Sequence, residues 1–246
     1  MAAAAGLIDE EVQRFAALGE EWWNPVGPMA ALHGLNPTRL AWIRETILRH
    51  FGRDAKGAAP PLVGLTLLDI GCGGGLVAEP LARMGAEVTG LDPADESIAV
   101  ARAHAEATGA RLAYRAGLVE DLVAEGARYD VVTALEVVEH VADLRAFVAA
   151  AAAAAKPGGL IVLSTLNRTL KSFALAIVGA EYVLGWVEQG THRWEQFVTP
   201  AELAAALEAA GCRESERRGM VYDPLRRDWR LSSDVGVNYF MAARKG

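Results

Sequence analysis

The sequence predicts an α/β protein with a doubly wound, mostly parallel β-sheet. Short apolar segments typical of buried strands alternate with segments of helical pattern, a glycine cluster follows the first strand, and the second strand ends in an acidic residue. Such alternation is typical of parallel sheets covered by helices on both faces. Because these sheets bind ligands at the carboxyl ends of their strands, we expect a binding site there.

The N-terminal part of the chain is predicted to be a helical cap. Glu10–Gly19 has a helical pattern, Trp22–Pro37 is rich in turn formers and aromatic residues, and Thr38–Phe51 predicts a second helix. Gly52–Gly64 has the composition of a linker. We therefore expect one domain over residues 1–246, with a cap at 1–60 and a sheet-containing core at 61–246.

Seven strands are predicted in the core. Five runs separated by helices predict the parallel part of the sheet, and two segments near the C-terminus predict a final pair. The segments are Leu65–Ile70, Glu87–Leu91, Arg111–Arg115, Tyr129–Ala134, Leu160–Thr165, Glu214–Tyr222 and Val237–Ala242. The alanine-rich run Ala146–Ala155 predicts a helix packed on the sheet, as does Pro200–Ala210. Residues 167–198 form an insertion after the fifth strand, where a substrate cover would lie.

Composition limits the class of protein. The 246 residues are 52% hydrophobic, which is enough for a substantial core. The 24 Lys and Arg against 31 Asp and Glu give a formal charge of -7, which argues against an extended nucleic-acid footprint. The start lacks the cationic region of a signal peptide, and no run reaches the length of a membrane span. We therefore expect a cytoplasmic protein.

The glycine cluster predicts a cofactor site. Asp69 lies near the end of the first strand, and Gly71, Gly73, Gly74 and Gly75 follow that strand. Glycine allows positive φ angles and close backbone approach at such a turn. Asp92 ends the second strand 92 − 71 = 21 positions after the first glycine, a spacing that suits a carboxylate bound to ribose hydroxyls.

Two cofactor classes compete for this loop. Gly73, Gly75 and Ala78 satisfy a loose form of the dinucleotide fingerprint of nicotinamide-dependent oxidoreductases. Asp69, however, would repel a pyrophosphate, whereas it could attract a cation near the amino-acid end of S-adenosylmethionine. We therefore infer a sulfonium cofactor without phosphate, and a binding assay with both cofactors would separate the two classes.

The chain resembles the class I S-adenosylmethionine-dependent methyltransferases, which have a Rossmann-like fold. Within them it is similar, from about Phe15 to Ala242, to the O-methyltransferases of ubiquinone biosynthesis. The matching motifs are Phe15, Trp22-Trp23, Leu32-His33, Asn36-Pro37, Arg39-Leu40, Leu68 to Gly75, Glu136 to Val141, Lys156 to Gly159, Ser164 to Arg168, Val178 to Tyr182 and Gly190-Thr191-His192. The resemblance implies methylation of a hydroxyl of polyprenyl phenol and catechol intermediates, namely 2-polyprenyl-6-hydroxyphenol and 3-demethylubiquinol.

The resemblance also implies cofactor contacts at Arg39, Gly71, Asp92 and Leu135. A guanidinium is well suited to hold the carboxylate of the cofactor, because its two parallel N–H groups match a carboxylate. Leu135, just past a strand end, would pack on the cofactor. Rival hypotheses are methylation of another hydrophobic phenol and a catalytically silent scaffold that binds the cofactor without turnover.

Candidate catalytic groups follow the fourth strand. Glu136, Glu139 and His140 are spaced to share one helix face and could hold a divalent ion such as Mg²⁺, which would lower the pKa of a catechol. The alternative is that they form a wall of the active site at a helix start. His140 and His192 are rival general bases, whereas His104 is expected on a helix surface.

The insertion predicts either a lid or a membrane contact. Arg168–Trp186 carries Arg168 and Lys171 for anionic head groups. Apolar side chains for the acyl boundary are Phe173, Leu175, Ile177, Val178, Tyr182, Leu184 and Trp186. This segment is too short to span a bilayer, so it would lie in the interface. Expected partners are therefore a prenylated substrate, anionic lipid at the inner face of the cytoplasmic membrane, and other enzymes of the pathway.

Overall fold

The structure is a computed structural model that describes residues 13, 17–54, 59–175, 194–223, 225–226 and 228–246. The described helices are α1 (Ala30–His50), α2 (Ala78–Arg83), α3 (Asp95–Thr108), α4 (Val119–Ala124), α5 (Leu144–Ala154), α6 (Leu170–Ser172) and α7 (Pro200–Ala209). The strands are β1 (Thr66–Ile70), β2 (Glu87–Asp92), β3 (Ala113–Ala116), β4 (Tyr129–Leu135), β5 (Ala155–Leu166), β6 (Cys212–Asp223), β7 (Asp228–Ser232) and β8 (Asn238–Lys245). Short 3-10 turns cover Gly19–Trp23, Val138–His140 and Trp194–Gln196.

The strands form one mixed sheet in the order β3-β2-β1-β4-β5-β8-β6-β7. Strands β1 to β5 pair in parallel, and β8 is antiparallel to both of its neighbours. The strand order reverses between β1 and β4, so the connections leaving these two strands diverge to opposite sides. A crevice forms at the carboxyl ends of the strands at such a switch point. The predicted α/β class and doubly wound sheet are confirmed.

The sheet has eight described strands rather than the seven predicted. The additional strand, β7, forms a hairpin with β6 and lies at the edge of the sheet. Its sequence, Asp-Trp-Arg-Leu-Ser, has two charged residues in five positions and no apolar run. Because an edge strand is half exposed, its sequence need not show the continuous apolar pattern of the central strands.

The core has one layer on each face of the sheet. Alternate side chains of β1 point to opposite faces, so Leu67 packs with α1 and α2 while Leu68 packs with α5 and α7. The alanine-rich helix is present as α5 and is capped by Asp143, whose carboxylate accepts the N–H groups of Arg145 and Ala146. Its small side chains allow close packing on the sheet, as predicted.

Helix α1 begins eight residues before its predicted start. It runs through Pro37, which the sequence placed in the preceding turn-rich segment. An internal proline costs about 3 kcal/mol because it removes a backbone hydrogen bond. Tertiary contacts offset this cost: the hydroxyl of Thr38 donates to the carbonyl of Trp229 in β7, and Asn36 is bonded to the carbonyl of Leu76.

Several predicted segments lie outside the described residues. These include most of the entry helix at Glu10–Gly19, the second half of the insertion, and His192. Among the helices that the structure does describe, none combines the length and apolar character required to cross a membrane.

Candidate active site

The glycine loop connects the carboxyl ends of β1 and β2. The N–H groups of Gly71 and Cys72 both donate to the carbonyl of Leu91, at 2.8 and 3.0 Å. Gly71, Gly73 and Gly75 have φ angles of 68°, 50° and 94°, in the left-handed region that glycine occupies without a steric cost. The predicted need for positive φ angles is confirmed.

Protein side chains fill the space beside these glycines. A Cβ at Gly71 would lie 2.5 Å from Val137, one at Gly73 would overlap the indole of Trp22, and one at Gly75 would overlap the hydroxyl of Tyr114. The sequence suggested that close approach of a ligand requires glycine here. The structure adds a second reason, because the loop is also packed tightly against the protein itself.

Asp92 is oriented by two backbone N–H groups. Its Oδ2 accepts from Gly73 and its Oδ1 accepts from Ala94, each at 2.9 Å. Burial raises the pKa of Asp92, and these two hydrogen bonds oppose the shift. A carboxylate has about four lone-pair positions, so both oxygens can accept a further hydrogen bond from a diol.

Asp69 is buried at the end of β1 and contacts the neighbouring strand. The register places Asp69 opposite Thr133, whose hydroxyl donates to Asp69 Oδ1 at 2.6 Å. Burial raises the pKa of Asp69 to about 6, while Thr133 and the positive charge of Arg39 limit the rise. This carboxyl group therefore changes its charge close to neutral pH.

Arg39 lies buried near two acidic groups, Asp69 and Glu136. Burial lowers the pKa of Arg39, and the negative charges of Glu136 and Asp69 counteract that effect. Its Nε and Nη2 both donate to Oδ1 of Asn36, at 3.1 and 2.8 Å. The amide of Asn36 in turn donates to the carbonyl of Leu76, just after the glycine loop. Asn36 thus fixes the position of Arg39 relative to this loop.

A shallow cleft opens at the carboxyl ends of β1 and β2, beside Gly71. Its lining is largely apolar and consists of Ile70, Gly71, Leu91, Pro93, Gly117, Leu118, Val119, Glu120 and Phe147. Leu135 is buried where β4 ends. Its apolar lining and its position beside the strand that carries Asp92 make it the candidate site for a planar apolar group attached to a ribose.

Glu136 has a strained backbone conformation. Its φ of 55° is the single positive value among the described non-glycine residues. Ser164 in β5 stabilises it: the Glu136 N–H donates to the Ser164 carbonyl at 3.0 Å, and the Ser164 hydroxyl donates to Glu136 Oε1 at 2.6 Å. Strain held by surrounding contacts is frequent at functional sites.

Glu139 and His140 lie in a 3-10 turn rather than on an α-helix. The turn covers Val138–His140, and α5 begins only at Leu144, so the prediction that three groups share one helix face is wrong. Both side chains are buried, and the hydroxyl of Thr165 donates to Glu139 Oε2 at 2.8 Å. Burial and the nearby charge of Glu136 raise the pKa of Glu139 well above its ordinary value.

These three residues do not fit a magnesium site as they are arranged. In the described part of the chain, no three His, Cys, Asp or Glu side chains are placed to hold a metal ion together. No step of the reaction proposed below therefore uses a metal ion.

Comparisons with known proteins identify the family. Residues 37–214 match a family described as a methyltransferase domain. The ubiquinone biosynthesis O-methyltransferase of Azorhizobium caulinodans is 56% identical over 244 residues, which is 99% of this chain and 96% of the relative. The chain belongs to the ubiquinone biosynthesis O-methyltransferase family. The member of this family from Methylobacterium nodulans is also 56% identical and covers 96% of this chain and 94% of its own.

Solved structures agree with the fold expected for a ubiquinone biosynthesis O-methyltransferase. Magnesium protoporphyrin IX methyltransferase from Synechocystis, crystallised with bound S-adenosylmethionine, has a TM-score of 0.63 at 17% identity and covers both chains completely. A possible histamine N-methyltransferase from Thermotoga maritima also has a TM-score of 0.63, at 14% identity, with coverage of 97% and 100%. At this identity the likeness concerns the fold alone.

The structure brings most of the predicted site residues of this O-methyltransferase to one end of the sheet. Asp69, the glycine loop, Asp92, Leu135 and Glu136 all lie at or just beyond the carboxyl ends of β1, β2 and β4. Glu139 and His140 follow within the 3-10 turn after β4, and Arg39 reaches this end from α1. The structure does not describe His192, which stays a prediction.

Sequence reasoning missed the residues that orient the predicted groups. The side chain of Arg39 is held by Asn36. Glu136 is held by the hydroxyl of Ser164, and Glu139 by the hydroxyl of Thr165. Asn36 could have been found, because residues three apart on a helix are neighbours. For Ser164 and Thr165 the only available signal was their position at the end of a predicted strand.

Proposed function

We propose that this chain transfers the methyl group of S-adenosylmethionine to phenolic oxygens of prenylated intermediates in ubiquinone biosynthesis. The substrates are 2-polyprenyl-6-hydroxyphenol and 3-demethylubiquinol. The names of the relatives at 56% identity over nearly the whole chain carry the choice of pathway. The arrangement of Arg39, Asp69 and Asp92 around the cleft supports the choice of cofactor.

Each part of the cofactor has a matching group in the site. Arg39 would bind the carboxylate, Asp69 the ammonium group, and Asp92 the two ribose hydroxyls, while the adenine would occupy the apolar cleft. The fit depends on charge, because a zwitterion requires one cation and one anion close together, and Arg39 and Asp69 are electrostatically coupled. A pyrophosphate would instead meet the carboxylate of Asp69, which disfavours the nicotinamide alternative.

The chemistry requires orientation and removal of one proton. The phenolic oxygen attacks the methyl carbon in line with the sulfonium, so a C–O bond forms as the C–S bond breaks and S-adenosylhomocysteine leaves. A phenol with a pKa near 10 is only about one-thousandth ionised at neutral pH, so a base accelerates the step. Glu136 would accept the proton, since its Oε1 is oriented by the hydroxyl of Ser164.

The start of the insertion exposes apolar side chains. Leu170, Phe173 and Leu175 are 81%, 44% and 54% exposed, and Phe173 packs edge-on against Trp194. Apolar groups at this level of exposure support the hypothesis that the segment receives the prenyl chain or contacts a bilayer. The remaining apolar residues of the segment, Ile177 to Trp186, lie outside the described residues.

The two basic residues expected to meet lipid head groups already have acidic partners. Arg168 pairs with Glu202 and donates to the carbonyl of Phe197, and Lys171 pairs with Asp234. These pairs reduce the charge available to anionic lipid, so we propose that membrane contact at this segment is mainly apolar.

A methylation assay tests the proposed function. Purified protein is mixed with S-adenosylmethionine and a catechol that carries a short prenyl chain, and the products are measured by mass spectrometry. We expect one added methyl group per turnover together with S-adenosylhomocysteine. Equal turnover of the catechol without its prenyl chain would instead favour another phenol as substrate. Cofactor binding without turnover would favour the scaffold hypothesis.

An Asp92→Ala variant tests the cofactor site separately. Loss of hydrogen bonds from two hydroxyls to a charged group costs about 1.5 to 3 kcal/mol each, so calorimetry should show at least a tenfold weaker affinity for S-adenosylmethionine. Asp95→Ala removes an exposed carboxylate three positions later and provides the matched control. Equal affinities of the Asp92→Ala variant and the unmodified protein would contradict the ribose assignment.

A further inference from the structure

The Trp22–Trp23 pair is a motif that the proposed chemistry does not use. It ends the 3-10 turn Gly19–Trp23, which packs on the glycine loop. Trp22 is only 8% exposed, and its ring occupies the place that a Cβ at Gly73 would take. A Cβ at Gly74 would lie 2.6 Å from the Cβ of Trp22. Trp22 therefore covers two consecutive glycines of the loop.

Trp23 adds a directional contact to this packing. Its Nε1–H donates to the carbonyl of Gly74 at 2.9 Å. Its indole also lies flat on the imidazole of His104 in α3, with ring centroids 3.4 Å apart and planes 4° from parallel. The ring stack limits the positions that the indole can adopt, so the hydrogen bond to Gly74 has a fixed direction.

His104 is itself held by a buried acid. Its Nδ1 lies 2.8 Å from Oε1 of Glu79, which is fully buried and also accepts from Arg83 and Thr108. His104 lies in a helix as predicted, but its side chain is only 25% exposed and has contacts on two sides. Glu79 belongs to α2, the helix that follows the glycine loop. The contacts thus run from Trp23 through His104 to the far end of the same loop.

The loop needs such support because it is rich in glycine. Glycine has more backbone freedom than any other residue, so a loop with four glycines loses much conformational entropy when it is ordered. Gly73 also donates its N–H to Asp92, so a shift of the loop would move the carboxylate that faces the ribose. A loop that is already ordered binds its ligand more tightly, since the entropy cost has been met in the free protein.

We propose that Trp22, Trp23 and His104 act as positioning residues that hold the glycine loop in its cofactor-binding conformation. The inference rests on the proposed function only in that the loop binds S-adenosylmethionine. These residues act on the affinity for the cofactor and not on methyl transfer itself. Their loss should therefore change the cofactor Kd and leave kcat at saturating cofactor unchanged.

A Trp23→Phe variant provides the first test. Phenylalanine keeps an aromatic ring beside His104 but removes the N–H that binds Gly74. We expect the Kd for S-adenosylmethionine, measured by calorimetry, to rise about three- to tenfold, the range for one hydrogen bond. Trp42→Phe is the matched control, because Trp42 is 3% exposed, packs on Phe240, and its Nε1 has no hydrogen-bond partner among the described residues. This control should leave Kd unchanged.

A His104→Gln variant tests the support behind the indole. Glutamine can still bind Glu79 but cannot stack on Trp23, so the Kd for S-adenosylmethionine should rise. The Trp23→Phe/His104→Gln double variant should lose less affinity than the sum of the losses in the two single variants, because both changes act on the same contact. Hydrogen exchange of residues 71–76 in the cofactor-free protein should become faster in both single variants. Unchanged Kd and unchanged exchange in both would overturn the proposal, as would a fall in kcat alone. Failure of the unmodified protein to bind S-adenosylmethionine would instead overturn the proposed function.

Discussion

Asp69 carries a charge that depends on pH in the physiological range. Burial raises its pKa to about 6 from an ordinary value of 3.8, although Thr133 and Arg39 limit the rise. The carboxyl group of Asp69 therefore binds a proton more tightly in the folded protein than in the unfolded chain. Its contribution to stability is fully present below pH 3.8 and decreases as the pH rises through about 6. A bound ammonium group would reverse this preference, because it favours the ionised carboxylate.

The affinity for S-adenosylmethionine should consequently fall as the pH drops below about 6, by up to tenfold per pH unit, because Asp69 must lose its proton to bind the cation. Calorimetric titration between pH 5 and pH 7.5 measures this, at about half-unit intervals around the pKa. Asp69→Asn should bind weakly with a flat profile over this range. The Asp92→Ala variant should bind S-adenosylmethionine weakly, but its affinity should keep the same dependence on pH. A flat profile for the unmodified protein would contradict the assignment.

Glu136 and Glu139 should respond differently to the same substitution. Glu136→Gln removes the proposed base and should lower kcat about 100-fold or more, with partial recovery at alkaline pH as the phenol ionises in solution. Glu139→Gln keeps an oxygen that can accept from the Thr165 hydroxyl and removes a carboxyl group whose pKa burial raises, so most of the activity should remain. Equal losses of kcat in both variants, together with a requirement of the unmodified protein for magnesium, would instead support a magnesium ion held by Glu136 and Glu139.

Motif spacing located the acidic site residues and the family resemblance located Arg39, but neither revealed what orients them. Asp69, Gly71 and Asp92 lie close together in sequence, so the local pattern contains them. Ser164 is 28 positions from Glu136, and the two meet because β4 and β5 pair with Leu135 opposite Ser164. Such a contact depends on sheet register, which a single sequence specifies only through the complete fold.

At the level of elements, strongly patterned segments were predicted well and short ones were not. Helix α7 begins at a Thr199–Glu202 capping box with Pro200 in its first turn, a clear start signal in the sequence. The turn at Val138–His140 lacks a comparable signal, and helical spacing wrongly suggested a longer helix there. The strained φ of Glu136 breaks the regular backbone just before this turn.

The exposed start of the insertion leads to a prediction about membranes. Leu170→Asp/Leu175→Asp introduces two charges where the structure exposes apolar side chains, so the fold should be retained while binding to phosphatidylglycerol-containing vesicles decreases. Co-sedimentation measures the bound fraction. Because Arg168 and Lys171 are paired, raising the salt concentration should weaken binding of the unmodified protein only slightly.

The matched control is Val63→Asp. Val63 is 50% exposed and precedes β1, at the amino end of the strands and thus at the opposite edge of the sheet from the site. The Val63→Asp variant should bind vesicles as well as the unmodified protein does. If the Leu170→Asp/Leu175→Asp variant binds vesicles normally but loses activity on prenylated substrate, the segment acts as a lid.

At the scale of the molecule, contacts with the edge of the sheet join an early helix to a late strand of the chain. Helix α1 carries Arg39 and packs on β7, and Thr38 donates to the Trp229 carbonyl at 2.9 Å. A Thr38→Val variant should lose about 1 kcal/mol of unfolding free energy, measured by urea denaturation. It should also bind S-adenosylmethionine slightly less tightly, because the neighbouring Arg39 is less well fixed. An unchanged midpoint would mean that the bond adds nothing to stability.

The bond between Thr38 and Trp229 spans 191 positions of the chain, and it also determines when the cofactor site can be completed during synthesis. A ribosome adds about 5 to 20 residues per second, so Arg39 emerges about 10 to 40 s before the strand that supports its helix. Strand β8 is made later still, yet it lies between β5 and β6. A nascent chain therefore exposes an incomplete sheet until β8 has been synthesised, and we expect full stability only after that point.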